Sequence, residues 1–384
     1  MRLLVIIGTL SHMGGAERQA LHLVEHLKKR PGCSIEVLAF EDGPALRPML
    51  DSLGARIHVF PFYHRWPRFR RLTTLLRLGW FLRFNVKPDG LLPFVGVHSK
   101  TAAQVRSWSG ARFCWWNQQD EGRDLTGTPV EKRILEKTRC ITSNSTAGRD
   151  FLSETYGLDP GRVLVYNNGT PLPDLSTIRT TWRSLLGLND RPIVTMVANV
   201  SKYKDHATLL SAWPLVRRRL ASANPVLLLA GNLREETTVS KLKLQAFDLG
   251  LSSEDVRFLG PVRDVAGLVL DSDVVAHSSL TEGCPNAVCE AMALGRPVVA
   301  TDIPGCRQAL GTAGQDWLVR PSSPEDLAGK IVRLLGNEEL RKANGIANRE
   351  RIRTEFSIEG MNRFFEEQIE GGLNCSLTAR TAGQ

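Results

Sequence analysis

The stretch Ser278–Gly305, SSLTEGCPNAVCEAMALGRPVVATDIPG, decides how this chain is read. A strand ends near Ser278, and the loop Thr281–Asn286 holds Glu282, Gly283 and Pro285. Apolar spacing then predicts a helix from about Ala287 to Leu294. Gly295 supplies its stop and Pro297 opens the next strand. Glu282 therefore sits in the loop before the helix, and Glu290 about one turn in. Two carboxylates and several backbone N–H groups converge where a strand ends and a helix begins. Such N–H groups receive hydroxyl or phosphate oxygens. Carboxylates accept hydrogen bonds from paired hydroxyls, as on a sugar or a ribose. Taken singly, Glu282 is a plain loop residue and Glu290 a solvated helix residue. Taken with Gly283 and Pro285, they form a candidate site.

The same alternation extends outward. Ile193–Val200 is an apolar strand, and a polar loop, Ser201–His206, leads into an apolar-periodic segment, Ala207–Leu220. Trp213-Pro214 is expected to kink or shorten that helix. Strands at Val226–Ala230, Val256–Leu259, Val274–His277 and Pro297–Ala300 follow, with helical stretches between them. This spacing predicts a parallel doubly wound sheet. The chain opens in the same way, with a strand at Arg2–Ile7, a loop with Gly14 and Gly15, a helix carrying Ala20, Leu21, Val24 and Leu27, and a strand at Ile35–Phe40. The run Leu3–Ile7 is too short for a signal peptide and no small-residue cleavage site follows, so it reads as a buried strand. No window approaches the ~20 apolar residues of a membrane span.

The fold class is thus α/β, with two Rossmann-like doubly wound domains. Residues 1–175 form the N-terminal domain and residues 182–355 the C-terminal domain. The stretch Pro171–Thr181 is the linker, with Pro171, Pro173 and Asp174 as its breakers. Residues 356–371 are expected to form a C-terminal helix crossing back to the first domain, and residues 372–384 a frayed tail. Ligands in doubly wound folds bind outside the carboxyl ends of the strands. Two domains facing across a cleft make that cleft the default site.

Composition supports a globular protein. Of 384 residues, 42% are apolar and 23% charged, which excludes a disordered, collagen-like or disulfide-stapled chain. The seven cysteines include no C-x-x-C pair, a pattern of reduced thiols in a cytoplasmic protein. Residues 1–180 carry 25 Lys and Arg against 16 Asp and Glu, whereas residues 181–384 carry 24 of each. The whole excess of +9 lies in the first half. That asymmetry fits an anionic partner there, or a plain solubility bias.

Glu282-x7-Glu290, embedded in E-G-x-P-N-x(3)-E-A-M-A-x-G-x-P-V-V-A-T-D, resembles the signature of the retaining glycosyltransferase family 4, whose members have the GT-B architecture. The likeness covers most of the chain. Gly14-Gly15-Ala16-Glu17-Arg18 resembles the family's first glycine loop, and Ser143-x-Ser145-Thr146 with Asn168-Gly169 resembles the approach to its linker. Val197–His206 is similar to the strand and basic loop that bind diphosphate. The resemblance implies that Glu282 contacts donor-sugar hydroxyls beside the reacting carbon and that Glu290 binds the ribose. It implies that Gly283, Cys284, Pro285 and Asn286 present backbone groups to sugar and phosphates. Lys204 matches the family's diphosphate lysine, and Gly15 lets the backbone approach that diphosphate. The leaving diphosphate gains negative charge, which Lys204 and helix N-termini stabilise with no metal and no other cofactor.

Two departures stand out. Where the family often has an arginine before the lysine, this chain has Asn199, with Lys202 as a substitute that lacks the forked geometry of arginine. Where many members have a histidine near the sugar, this chain reads Cys114-Trp115-Trp116-Asn117-Gln118-Gln119, and Asn117, Gln118 or Gln119 is expected to take that acceptor-side place.

Of the histidines, His12 lies just before the glycine loop and reads equally as facing the cleft or as a plain loop residue, His98 lies near a loop expected to face the acceptor, His206 lies by a helix start, and His277 reads as a satisfied core residue. Asp271-Ser272-Asp273 looks like a metal-binding D-x-D, but it joins a helix, Ala266–Leu270, to a buried strand and reads as a helix-end connection. Arg65–Lys87, RWPRFRRLTTLLRLGWFLRFNVK, mixes arginines with aromatics and leucines. It suits a helix on an anionic membrane surface. It equally suits an ordinary helix packing Leu72, Leu75, Leu76, Gly79 and Leu82 on the sheet. No nucleic-acid module is present, so nucleic acid is not an expected partner.

The expected function is metal-independent transfer of a hexose, with retention, from a nucleoside-diphosphate sugar to a glycan or lipid-linked acceptor in cell-envelope polysaccharide biosynthesis. The expected place is the cytoplasm, peripheral on the inner face of the plasma membrane. The alternative is a non-catalytic sugar-nucleotide-binding scaffold of the same fold.

Overall fold

The computed structural model describes residues 1–122, 124–233 and 235–381, with side chains through residue 374. The chain divides into two compact units. Unit 1 is Met1–Gly169 with the last helix, Ile358–Thr381, and unit 2 is Thr170–Ser357.

Unit 1 holds a parallel five-stranded sheet of β1 (Arg2–Thr9), β2 (Ser34–Glu41), β3 (Arg56–Val59), β4 (Gly90–Pro93) and β5 (Phe113–Cys114), in the order β3-β2-β1-β4-β5. A three-stranded parallel sheet follows, β6 (Trp116–Gln118), β7 (Ile141–Ser143) and β8 (Val163–Val165). The unbroken apolar run of β1 is explained by cover on both faces. Leu3, Val5 and Ile7 pack with the helix Gly15–Lys28, and Leu4 and Ile6 pack on the other side with Leu75 and Leu78. The chain changes sheets at Trp115, which is fully buried and donates its indole N–H to the Pro93 carbonyl at 2.8 Å.

The last helix presents Met361, Phe365, Ile369 and Leu373 to the same core, four residues apart and therefore on one face. It runs to Thr381, so the stretch expected to be frayed from residue 372 is helical to that point. Burial of Leu373 anchors the helix to the core as far as that residue. Residues 382–384 lie outside the described residues.

Unit 2 holds one parallel sheet of β9 (Ile193–Val197), β10 (Val226–Ala230), β11 (Val256–Gly260), β12 (Val274–His277), β13 (Val298–Thr301) and β14 (Leu318–Val319). The order is β11-β10-β9-β12-β13-β14. It reverses between β9 and β12, which makes their carboxyl ends the topological switch point.

Two expectations are corrected. The helix His206–Arg219 runs through Pro214 without shortening. Trp213 and Val216, on either side of the proline, are fully buried, and their packing outweighs the lost backbone bond. In the helix Arg68–Phe81, Leu72 and Leu76 face outward, while Leu75, Leu78 and Gly79 face the sheet.

Candidate functional site

The switch point of unit 2 is built from two loops tied to each other. Ser278, just past β12, donates its hydroxyl to the Asp205 carbonyl at 2.9 Å, and the Leu280 N–H donates to the Tyr203 carbonyl at 2.8 Å. These bonds fix the loop after β9 against the loop after β12. Asp205 has φ 44° and caps the helix His206–Arg219, its carboxylate accepting from Thr208.

Within that frame Lys204 and Glu282 form an ion pair. A single oxygen, Glu282 Oε1, accepts from Lys204 Nζ, from His277 Nε2 at 2.8 Å and from Ser279 Oγ at 2.7 Å. Burial pushes the Glu282 carboxyl up, but the Lys204 ammonium and the His277 bond outweigh it and hold it well below the usual carboxylate range. Glu282 is therefore an anion at neutral pH. His206, beside this group, is driven down to about 4 by burial and then by the charges of His277 and Lys204, so it is neutral.

The rest of the predicted set follows in order. Gly283, Cys284 and Pro285 are buried and lead into the helix Asn286–Ala293, on which Glu290 lies half-buried. The Cys284 side chain sits in the core with Cys289 and Cys306, which leaves only backbone for a ligand. A Cβ on Gly305 would lie 2.1 Å from the Gly283 carbonyl and 2.5 Å from that of Glu282, so only glycine lets the next helix approach this loop. Asn199 Oδ1 accepts from the Asn232 N–H at 2.9 Å and ties the β9 and β10 loops. Lys202 is exposed, its Nζ 5.0 Å over the Tyr203 ring, and is apart from the Glu282 cluster.

Asp271 and Asp273 are structural. Asp271 accepts from the backbone of Trp182 at 2.6 Å and Arg183 at 3.1 Å, and Asp273 accepts from Arg183 at 2.7 Å and Ile193 at 2.8 Å.

His277 is the satisfied core residue that the sequence suggests, and it also belongs to the site. It is buried, and its partner is Glu282. Its signal was its position, the last residue of a parallel strand at the switch point.

In unit 1, Gly15 begins the helix Gly15–Lys28, after Gly14. A Cβ on Gly14 would lie 2.4 Å from the Glu17 carboxylate, and burial pushes that carboxyl up. His98 Nδ1 donates to the Phe94 carbonyl at 2.7 Å, and burial drives His98 down to about 4. His12 is exposed. Asn117 and Gln118 are wholly buried. Asn117 Oδ1 accepts from Tyr166 at 2.9 Å, while Gln118 accepts from the Trp116 indole at 3.1 Å and donates to Asp120 at 2.7 Å. These two hold β6 in place and do not reach a surface, which corrects their expected acceptor role. Gln119 keeps some exposure and donates to Tyr166 at 3.1 Å.

Two Rossmann-like α/β domains define the GT-B fold of glycosyltransferases. Anabaena Alr3699/HepE, solved in complex with UDP-glucose, superposes on 97% of this chain and 100% of its own with a TM-score of 0.81, at 21% identity. Residues 13–172 match a family model described as Glycosyltransferase Family 4, and residues 191–337 match one described as Glycosyl transferases group 1. Together these two glycosyltransferase models match most of the chain. It is 30% identical over 238 residues to D-inositol 3-phosphate glycosyltransferase of Rhodococcus opacus, covering 60% of this chain and 52% of that one. It is 29% identical over 160 residues to the N,N'-diacetylbacillosaminyl-diphospho-undecaprenol alpha-1,3-N-acetylgalactosaminyltransferase of Campylobacter jejuni, covering 42% and 39%. The match thus spans about half the length of these curated relatives, or less.

Proposed function

We infer that the chain transfers a hexose, with retention and without a metal, from a nucleoside-diphosphate sugar to a hydroxyl of a glycan or lipid-linked glycan. The setting would be cell-envelope polysaccharide synthesis. The observation that carries this reading is the Glu282 carboxylate, held ionised by Lys204, His277 and Ser279 at the switch point. An ionised carboxylate beside helix N-termini and a lysine suits both ends of such a donor. Glu282 takes sugar hydroxyls, and Lys204 takes the diphosphate. The fold likeness to a protein solved with UDP-glucose and the diphospho-undecaprenol in a relative's name support the donor and acceptor classes.

In the transfer, the bond from the anomeric carbon to the diphosphate oxygen breaks, and the acceptor oxygen bonds to that carbon. The acceptor proton passes to the departing diphosphate. Lys204 stabilises the charge growing there, and positioning supplies most of the remaining acceleration. Donor binding would draw Lys204 from Glu282 to the diphosphate, leaving Glu282 to the sugar.

The test is thermal unfolding with UDP-, GDP- and ADP-sugars, with and without a chelator, followed by NMR of the anomeric product. A donor at 100 times its Kd stabilises by about 2.7 kcal/mol. The expected result is a shift with one nucleotide class that Glu290→Ala abolishes and the chelator leaves unchanged. A product of inverted configuration, or no shift with any donor, would overturn the reading.

A further inference from the structure

One face of unit 1 is left unexplained by that reading. The helix Arg68–Phe81 and the turn Leu82–Val86 that continues it bury Leu75, Leu78 and Leu82 against the sheet. Their opposite face carries Phe69, Leu72, Leu76, Trp80 and Phe84, all exposed, with Phe69 at 80% and Trp80 at 65%. The spacing of three and then four residues puts these on one stripe. Trp108, also exposed, joins the stripe from the helix Gly96–Ser109. Gly79 permits this approach, since a Cβ there would lie 3.0 Å from Trp108 Cβ. Five large apolar side chains in a row on a water-facing helix need a partner surface.

The chemistry beside the stripe says what that partner is. A cavity of about 940 Å³ opens next to it, lined by Arg83, Arg106, Arg112, Arg133, Lys137 and Arg139; no carboxylate lines it, and Arg112 is paired with Asp89 at 3.0 Å. Arg83 and Ser107 line both this cavity and the hollow formed by Leu76, Trp80 and Trp108, so the two features are continuous. No Asp or Glu occurs between Asp51 and Asp89, so the helix itself opposes no anion. The cavity lies at the residues leading into β5 and β7, the amino edge of the strands. Gly15 and Gln119 lie at the opposite, carboxyl edge, so the cavity is separate from the ligand edge of unit 1.

We propose that this face docks on an anionic lipid bilayer, with the stripe in the headgroup–acyl boundary and the arginine- and lysine-lined cavity holding a lipid phosphate. Aromatic and leucine side chains beside arginines match an interface that is apolar on one side and negatively charged on the other. An acidic protein or a nucleic acid would satisfy the cations but not the aliphatic stripe. The inference stands without the transferase reading.

The test uses the full chain in vesicle flotation, comparing phosphatidylcholine vesicles with vesicles containing phosphatidylglycerol. Binding is expected to the second and to be at least tenfold weaker to the first. Trp80→Ser/Phe84→Ser and, separately, Arg133→Glu/Lys137→Glu are each expected to weaken it at least tenfold, with unfolding temperatures near that of the parent. Brominated lipids are expected to quench tryptophan emission, and Trp80→Ser/Trp108→Ser to remove most of that quenching. Equal binding to both vesicles, or binding untouched by the apolar pair, overturns the proposal. Displacement from vesicles by millimolar inorganic phosphate or glycerol 3-phosphate at constant ionic strength also overturns it, assigning the cavity to a soluble phosphate.

Discussion

Lys204 and Glu282, 78 residues apart in sequence, meet as an ion pair across the switch point between β9 and β12. Each is the other's closest counter-charge. The pair keeps the carboxylate ionised in a buried place, and it keeps the lysine at the position a diphosphate would reach. A ligand bearing both hydroxyls and phosphates can replace both contacts at once. One bearing only phosphate would take Lys204 and leave Glu282 to His277 and Ser279 alone, so on the proposed function the whole nucleotide sugar is expected to bind better than phosphate.

Removing the cation exposes that dependence. Lys204→Ala leaves Glu282 buried with His277 and Ser279 but without its strongest counter-charge, and is expected to cost about 3 kcal/mol at pH 7. In the parent, Glu282 has a folded-state pKa below its unfolded value. Its contribution is therefore complete above the unfolded pKa and lost as pH falls through the folded one. In Lys204→Ala the folded pKa rises, so the variant loses less on acidification. Urea unfolding at pH 7 and pH 4 is expected to show the gap between parent and variant narrowing at pH 4. Turnover should fall at least a hundredfold, since leaving-group stabilisation is lost.

Glu131 in unit 1 gives an independent acid-sensitive element. It is fully buried and accepts from Lys100 at 2.6 Å, the Thr128 N–H at 2.8 Å and Tyr156 at 2.9 Å. Burial raises its carboxyl, but the Lys100 bond and the others outweigh that and bring it down to about 2. The contribution, on the order of 3 kcal/mol, is present above about pH 4.5 and lost as pH falls toward 2. Glu131→Gln should therefore lower stability at pH 7 and flatten the acid limb of the stability–pH curve. An unchanged acid limb would refute the assignment.

Two glycines separate site geometry from helix propensity. Gly305→Ala places a Cβ against the carbonyls of Gly283 and Glu282, backbone that cannot swing aside. It should cost 1–3 kcal/mol or more and lower turnover further than that loss explains, because it displaces the Glu282 loop. Gly329, inside the helix Pro324–Leu335, has nothing within 4 Å of its would-be Cβ. Gly329→Ala should stabilise by about 0.5–1 kcal/mol and leave turnover unchanged. Calorimetry with steady-state kinetics on both variants checks the contrast.

Much of unit 2 was legible because its signals are local. The apolar runs of β9 to β13 and the stop at Gly295 each follow from a few adjacent residues, and the helix Asn286–Ala293 begins within one residue of its predicted start. What escaped depends on contacts between distant segments. His277 reads as core, which it is, but only the folded chain brings Glu282 onto it. Asn117 and Gln118 are expected on the acceptor side because they stand where the resemblance implies a histidine, whereas Tyr166 bonds the Asn117 oxygen and Trp116 and Asp120 bond Gln118 in the interior. Leu72 and Leu76 read as core because apolar residues recur on every side of the Arg68–Phe81 helix, so its pattern does not say which stripe is covered. Val95 is marked by no sequence pattern, yet its φ of 74° is a strained conformation for a β-branched residue, at the start of the Gly96–Ser109 helix.

Asn199 stands where the sequence resemblance implies an arginine, and its geometry decides between two roles. Its side-chain oxygen accepts from the Asn232 N–H at 2.9 Å, while the Val200 N–H donates to the Asn232 carbonyl at 2.9 Å. Together these bonds close the β9 and β10 loops on each other. Gly231 packs between them, where a Cβ would lie 2.0 Å from the Ala198 carbonyl. A residue so used is a loop clamp before it is a phosphate ligand. Asn199→Ala should then cost about 1 kcal/mol through the lost bond. Hydrogen exchange at residues 231 and 232 should quicken, because their loop opens more often. Donor affinity should fall by less than threefold, since Lys204 carries the charge. Asn199→Asp keeps the acceptor oxygen and should restore the slow exchange, but it adds a negative charge near the diphosphate and should weaken donor binding. If Asn199→Ala instead weakens the donor tenfold with exchange unchanged, the side chain binds ligand and the clamp is incidental.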